Sequence, residues 1–378
     1  MAKKATQWGE GVMTSTKNNG SSRRVKRRRT GININDLAER AGVAPATVSR
    51  ALNGYADIAE ATRERILALA AELNYQPSSR ARQLARGRVE TAAFVLPVNS
   101  RNTHDPFLSD FLDALASALS ARDHDLLVAT VRDDEDEIEV YRRLIAAGKC
   151  AGFIVTNSRD NDPRICLLRD LNVPFVVYGR ASSDAPYPHL DMDNEAAIAG
   201  MVDHLFALGH QRFAYVDLEE EATFARLRRI GFELGVSRNA LLDDNVAIVR
   251  VPHTSAGGQS AIATLFDGGN SHRPTAVVCP ADVVAIGAIQ AVSARGYDVG
   301  RDVSITGYDG VPLGAYTAPP LTTMSQPTRE IGQQLVDILF RVMEGADPAQ
   351  FDAVMMPTLV RRASDGSPTL VEAARALP

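Results

Sequence analysis

No run of about 18 apolar residues occurs in this 378-residue sequence, so no segment is suited to crossing a membrane as a helix. The N-terminus is basic but lacks the apolar core of a secretory signal, which argues against export. Cysteine is scarce: Cys150, Cys166 and Cys279 are widely spaced, with no C-x-x-C pair. A complete disulfide set and an obvious zinc site are thereby excluded, and the three read as small buried hydrophobes in a reducing cytoplasm. Walker A, GxSxG and HExxH signatures are missing, so no catalytic set is visible, and neither a cofactor nor a metal is expected. The acidic run 133–137 reads as a solvated loop and helix start. Asp191 and Asp193, two apart, are weak evidence for glycosidase chemistry. His210, after Gly209, reads as a turn residue.

What is present is a strong asymmetry of charge. The formal net charge is −5, yet residues 1–88 hold 17 Lys/Arg against 7 Asp/Glu, and the rest hold 24 against 39. One end is suited to a polyanion, and the acidic remainder confines the contact to that end. Residues 1–31 are polar and basic and read as a disordered tail. Its cluster 23–29 suits phosphate tracking, with a solvated tail, or a later start at Met13, as the alternative.

Residues 32–76 read as three short helices. The first spans Ile34 to Ala41 with Asn33 as N-cap, and Gly42-Val43 makes a tight turn. The second spans Pro45 to about Leu52, with proline at its first position, and Asn53-Gly54 ends it. The third runs from about Glu60 to Asn74, with Ile66, Leu69, Ala70 and Leu73 on one face. Helix, glycine turn and second helix form a helix-turn-helix whose second helix enters the major groove. Its start offers Pro45, Ala46, Thr47, Ser49 and Arg50. Arg50 is the expected base reader, because a guanidinium can bond guanine bidentately. Ala46 offers only a methyl, while Thr47, Ser49 and Asn53 suit phosphates. Asn33 and Ile34, opening the first helix, complete the expected contacts in this domain.

From Thr91 onward, short β-rich runs alternate with amphipathic helical stretches. The expected strands are Ala92–Leu96, Leu126–Val131, Gly152–Thr156, Pro174–Tyr178, Phe213–Val216, Ala247–Val251, Ala276–Cys279 and Val303–Thr306. Helices are expected over 107–122, 136–147, 194–208, 223–234, 257–266, 282–295 and 328–344. Such alternation implies parallel sheets flanked by helices, with ligands beyond the strands' carboxyl ends. A break around 181–191 points to two lobes.

The run from Ile34 to Gly54, with Thr62-Arg-Glu-Arg-Ile66, Glu72-Leu-Asn-Tyr75 and Pro77, resembles the DNA-binding domain of the lactose-repressor (LacI/GalR) family. The resemblance continues through Asp193-Asn194, His204-Leu205, Leu208-Gly209-His210, Arg228, Gly231-Phe232, Asp282, Gly307-Tyr308-Asp309 and Pro319 to Met324. It implies a small all-α helix-turn-helix domain plus an α/β, two-lobed, periplasmic-binding-protein-like effector domain. The implied organisation is a hinge over 77–89 and an effector-binding and dimerisation domain over 90–365. Lobe one takes about 90–190 plus 325–347, lobe two about 191–320 plus 350–365, and a tail follows from 366 to 378. In the hinge, Arg82 and Leu84 match minor-groove positions, with Leu84 as the wedge that pries a base step open. Ala44 and Ala59 stand where many members carry a capping Ser.

The resemblance assigns Arg228 and Asp309 to ligand hydroxyls, a cationic donor beside an anionic acceptor. Phe107 and Phe224 are candidates for ring stacking. Thr156 and Arg180 follow lobe-one strands where a cleft should open, and Asp105 is a further candidate. Ala281 replaces the Asn or Ser that commonly precedes Asp282. With Arg180 added, the effector stays open among a glycoside, a disaccharide and an acidic sugar. The whole implies a cytoplasmic, non-enzymatic transcriptional repressor of carbohydrate-utilisation genes, released by a sugar or glycoside. It implies a homodimer on a near-palindromic double-stranded operator; Ser364 to Pro378 contain no sustained leucine heptads, so a coiled-coil tetramer is not expected. The alternatives are an uptake binding protein, disfavoured by the helix-turn-helix, and a sugar-metabolising enzyme with an added DNA-binding domain.

Overall fold

Asn33 starts the first helix by satisfying donors that the helix itself leaves open. Its Oδ1 accepts from the backbone N–H of Asn35 and Asp36 at 2.8 and 3.3 Å, and Asp36 Oδ2 accepts from the N–H of Asn33 at 2.8 Å. The computed structural model describes residues 32–75, 89–97, 106–132, 134–267 and 273–368. In the first unit, α1 (Ile34–Ala41), α2 (Pro45–Leu52) and α3 (Glu60–Glu72) enclose a core of Leu37, Val48 and Ile66, each 0% exposed. Gly42 turns the chain between α1 and α2 at φ +66°, where glycine carries no side-chain penalty. Ala44 and Ala59 precede α2 and α3 without a side-chain cap.

The second unit begins at Arg88 and holds two six-stranded sheets. Its strands are β1 (Thr91–Pro97), β2 (Asp125–Val131), β3 (Gly152–Val155), β4 (Phe175–Tyr178), β5 (His189–Met192), β6 (Phe213–Leu218), β7 (Val246–Val251), β8 (Ala276–Val278), β9 (Ser304–Asp309), β10 (Thr322–Ser325), β11 (Asp352–Met355) and β12 (Thr358–Val360). Its helices are α4 (Pro106–Ser120), α5 (Glu137–Ala146), α6 (Pro163–Asp170), α7 (Asn194–Ala207), α8 (Thr223–Arg238), α9 (Ser255–Phe266), α10 (Asp282–Ala294) and α11 (Thr328–Met343). The orders are β11-β5-β4-β3-β1-β2 and β12-β10-β9-β8-β6-β7. Among the described residues, all strand pairings are parallel except β10 with β12.

Central strands such as Phe153-Ile154-Val155 are buried on both faces, which explains their unbroken apolar runs. The chain passes between lobes after β5, after β10 and between β11 and β12. These three crossings place both lobes' strand ends around one cleft.

All eight expected strands are present. Four more, β5 and β10 to β12, were not expected, nor was α6. His189-Leu-Asp-Met192 and Thr322-Thr-Met-Ser325 carry too many polar side chains to read as core strands. Residues 352–355 were expected in lobe two, but β11 extends the first sheet by pairing parallel with β5. Cys279 is buried as expected, whereas Cys150 and Cys166 are only half-buried. His210 directly follows the turn at Leu208-Gly209, and it is buried. It is 1% exposed, and its ring bonds Thr275 Oγ1, Ser304 Oγ and the Gly366 carbonyl. The expected hinge, with Arg82 and Leu84, and Asp105 lie outside the described residues.

Candidate DNA-binding face and ligand cleft

On α2, Val48 and Ala51 point into the three-helix core, which turns Ala46, Arg50 and Asn53 outward at i, i+4 and i+7. Pro45, Ala46 and Arg50 are exposed, while Thr47, Ser49 and Asn53 are half-buried. Asn53 Nδ2 donates to the Ser49 carbonyl at 2.8 Å, tying down the end of the helix. Asn33 and Ile34 are half-buried at the start of α1. The Arg50 guanidinium is held by Asp57 and lies 5.1 Å from the centre of the Tyr55 ring. Asp57 and Tyr55 were not anticipated from sequence, because the loop after α2 brings them back only in three dimensions.

In the second unit, a cleft of about 830 Å³, including its open mouth, lies at the carboxyl ends of the strands. Lobe one contributes Phe107 and Phe111 from α4, Thr156 to Ser158 after β3, Tyr178 from β4 and Asp191 from β5. Lobe two contributes Asn194, Phe224, Arg228, His253 and Asp309. Five anticipated residues thus meet here: Phe107, Thr156, Phe224, Arg228 and Asp309. Phe107 stacks on Phe111 at 5.8 Å, and Phe111 on Tyr178 at 5.3 Å, forming an apolar wall.

Arg228 is 5% exposed. Its Nε donates to Asn194 Oδ1 at 2.9 Å and its Nη1 to the Pro280 carbonyl at 2.6 Å. Nη1 also lies 3.6 Å from Asp309 Oδ1, and the guanidinium sits 3.5 Å from the centre of the Tyr308 ring. Burial alone would lower the Arg228 pKa, but Tyr308 and Asp309 hold it above the ordinary value. The group stays charged.

Asp309 closes β9 at φ +120°, a backbone region that side chains rarely occupy. Asp282, at the start of α10, pins the turn that follows. Its Oδ2 accepts from the N–H groups of Gly310 and Val311, both at 2.8 Å, and its Oδ1 from Thr323 Oγ1 at 2.6 Å. Gly307 must lack a side chain, since a Cβ there would stand 2.2 Å from Asp282 Oδ1. Burial and the nearby Asp309 push the Asp282 pKa upward.

Gln326, at the second crossing, joins the lobes. Tyr178 OH donates to its Oε1, and its Nε2 donates to Asp309 Oδ1 at 2.8 Å. Nearby, the Thr223 N–H donates to the Ser158 carbonyl at 2.8 Å, and Arg226 pairs with Asp160 at 3.3 Å. Arg180 does not line the cleft. Its Nε lies 3.1 Å from Asp191 Oδ2, and its Nη2 contacts Glu195.

Tyr178, Asp191, Asn194 and Gln326 were missed as site residues. Asp191 was set aside as a weak pair with Asp193, and Asn194 entered only as a landmark. Asp193 instead caps α7, its Oδ1 accepting from the Ala196 N–H at 3.0 Å. Among the described residues, no cluster of His, Cys, Asp and Glu could hold a metal, and no helix is long and apolar enough to cross a membrane.

Residues 33–78 match the model of bacterial regulatory proteins of the lacI family, and residues 202–364 match that of a periplasmic binding protein-like domain. The transcriptional regulator AglR of Rhizobium meliloti (strain 1021) is 33% identical over 342 residues, spanning 89% of this chain and 94% of that protein. This chain belongs to the lacI family.

It is accordingly a DNA-binding transcriptional regulator and not an enzyme. RafR of Escherichia coli is 29% identical over 89% of this chain and 100% of its own length. Among lacI-family structures, the lac repressor dimer bound to operator and the anti-inducer ONPF matches with a TM-score of 0.78. It is 27% identical and covers 89% of this chain and 99% of that one. The CelR–cellobiose complex matches with a TM-score of 0.66 at 25% identity, covering 88% of this chain and 99% of that one.

Proposed function

We propose that this regulator represses carbohydrate-utilisation genes and leaves its operator when a sugar or glycoside occupies the cleft. The supporting observation is the pairing of Arg228 with Asp309 beside the wall of Phe107, Phe111 and Tyr178. A sugar hydroxyl both donates and accepts, so a guanidinium next to a carboxylate suits it, and flat rings cover its apolar face. That one relative is a repressor bound to operator, and another is a complex with cellobiose, accords with this reading.

In this reading Arg50 reads a guanine edge from the major groove, with Pro45, Ala46, Thr47, Ser49, Asn53, Asn33 and Ile34 around it. Arg82 and Leu84 enter the minor groove. Phe107, Thr156, Phe224, Arg228 and Asp309 hold the effector, with Asp105 and Arg180 at its margin. A homodimer formed through the effector domains spans a near-palindrome in the cytoplasm. Effector closes the lobes and favours the released form by several kcal/mol.

The test begins by selecting duplexes from a randomised pool with the purified full-length protein. Sugars that raise its melting temperature are then added to the bound duplex. Loss of binding at saturating sugar is expected. Tighter binding would reverse the sign of the switch, and an absence of any thermal shift across neutral and charged sugars would overturn the sugar assignment.

A further inference from the structure

Every cation described in the cleft wall or directly behind it already faces a carboxylate. Arg228 Nη1 lies 3.6 Å from Asp309. Arg180 is shared between Asp191 and Glu195. His253 Nδ1 lies 3.4 Å from Glu220. In the cleft wall and directly behind it, two guanidiniums therefore meet three carboxylates: Asp191 and Asp309 line the cleft, Glu195 stands behind it with Arg180, and Asp282 lies beyond.

Asp191 is the unusual member. It is 3% exposed yet lines the cleft from the end of β5. Its Oδ1 accepts from Asn194 Nδ2 at 3.3 Å. Its Oδ2 is near Arg180, but no aligned hydrogen bond reaches it. A buried carboxylate oxygen in this state is only partly compensated, so its charge is felt across the cleft wall.

We propose that Asp191 sets the charge selectivity of the cleft, admitting a neutral polyhydroxylated ligand and excluding acidic sugars and sugar phosphates. The inference rests on the sugar-effector reading above. A neutral hydroxyl brings no charge of its own up to the Asp191 side of the cleft wall. A ligand carboxylate or phosphate has no ionised donor to give, and it adds a further anion to a buried site whose cations are already matched. Burial pushes the Asp191 carboxyl up to about 6 despite the backbone N–H of Met192 and the charge of Arg180, so it carries its charge at pH 7.5. This narrows the range that Arg180 left open, because its charge is engaged within the protein.

The test uses the full-length protein at pH 7.5 with neutral mono- and disaccharides, including cellobiose, and with the uronic acids and phosphates of the same ring stereochemistry. Thermal shift and titration calorimetry give the affinities. A neutral sugar is expected to bind at least about 100-fold more tightly than its acidic counterpart. Asp191→Asn should narrow that gap at least about tenfold by improving the acidic ligand. Arg180→Gln, which leaves Asp191 and Glu195 less matched, should keep or widen it, so the test stands even if Asp191→Asn does not fold. An acidic sugar that binds the wild type as well as its neutral counterpart overturns the selectivity and leaves the sugar reading intact. A gap unchanged in Asp191→Asn removes Asp191 from the role. If no sugar of either charge binds, the sugar reading falls and the selectivity falls with it.

Discussion

Arg228 and Asp309 stand 3.6 Å apart with each side chain less than a tenth exposed, and they come from different elements, α8 and the end of β9. Neither charge has much water to fall back on. Removing one partner strands the other, at a cost of about 3–5 kcal/mol. Arg228→Ala should therefore lower the denaturant midpoint of the second unit as well as abolish effector response. An unchanged midpoint would show that the pair does not stabilise the lobe. Asp309→Asn keeps the shape and should weaken effector response while ligand-free operator binding stays near wild type.

Arg50 and Asp57 form a different kind of pair. Both side chains are about half exposed, so their contact contributes at most about 1 kcal/mol to stability. Asp57→Ala should hardly move the melting temperature. It should strengthen binding most to duplexes that carry the base Arg50 reads, because a carboxylate that competes with DNA for Arg50 is gone. Arg50→Ala should instead remove discrimination of about 1–3 kcal/mol at one base of each half-site, read from competition with single-base variants. Uniform weakening across all variants would mean that Arg50 contacts phosphate.

Asp191 predicts a pH dependence with a definite sign. Burial raises its pKa in the folded protein to about 6, above the ordinary value of 3.8. The folded state holds this proton more tightly than the unfolded one. The associated stability is fully present below about pH 4 and is lost as pH rises through about 6. Its size is on the order of 2–3 kcal/mol. Asp191→Asn should thus be more stable than wild type at pH 8 and nearly equal at pH 4, by denaturant titration. Equal stability at both pH values would remove the burial penalty assigned to this carboxylate.

Arg226 and Asp160 join the two lobes from exposed positions. The backbone N–H of Ser182, more than Arg226, keeps Asp160 below the ordinary carboxylate range. The pair is a weak, solvent-exposed bridge between the lobes. Arg226→Gln should speed effector release a few-fold in stopped-flow measurements and leave the unfolding free energy within about 1 kcal/mol of wild type. No change in the release rate would mean that the lobes part without breaking it.

The N-terminal unit was the most legible part of the sequence, because its signals are local. Asn33, Gly42, Pro45 and Asn53 each act on the residues beside them, so α1 and α2 fall within the bounds read from the residues alone. Six of the eight expected strands of the second unit, β1, β3, β4, β6, β8 and β9, were legible for a related reason: a strand buried on both faces announces itself. The edge strands β2 and β7 are half-exposed but still rich in apolar residues. The more polar strands β5 and β10 were not legible. His189-Leu-Asp-Met192 is half polar because Asp191 faces ligand space, and β11 shows nothing in sequence that assigns it to β5.

By itself, then, the sequence determined the helix-turn-helix, the alternating α/β plan and the separation of basic from acidic segments. These follow from caps, turns, periodicity and charge, which act over a few residues or by simple addition. Only the tertiary structure decided which cations are spoken for. Arg180 reads as a free donor along the chain and is matched by Asp191 and Glu195 in the fold, and Arg50 likewise by Asp57. The reason is that a charge's availability depends on its neighbours in space, and crossings and loop returns set those neighbours beyond the reach of local pattern.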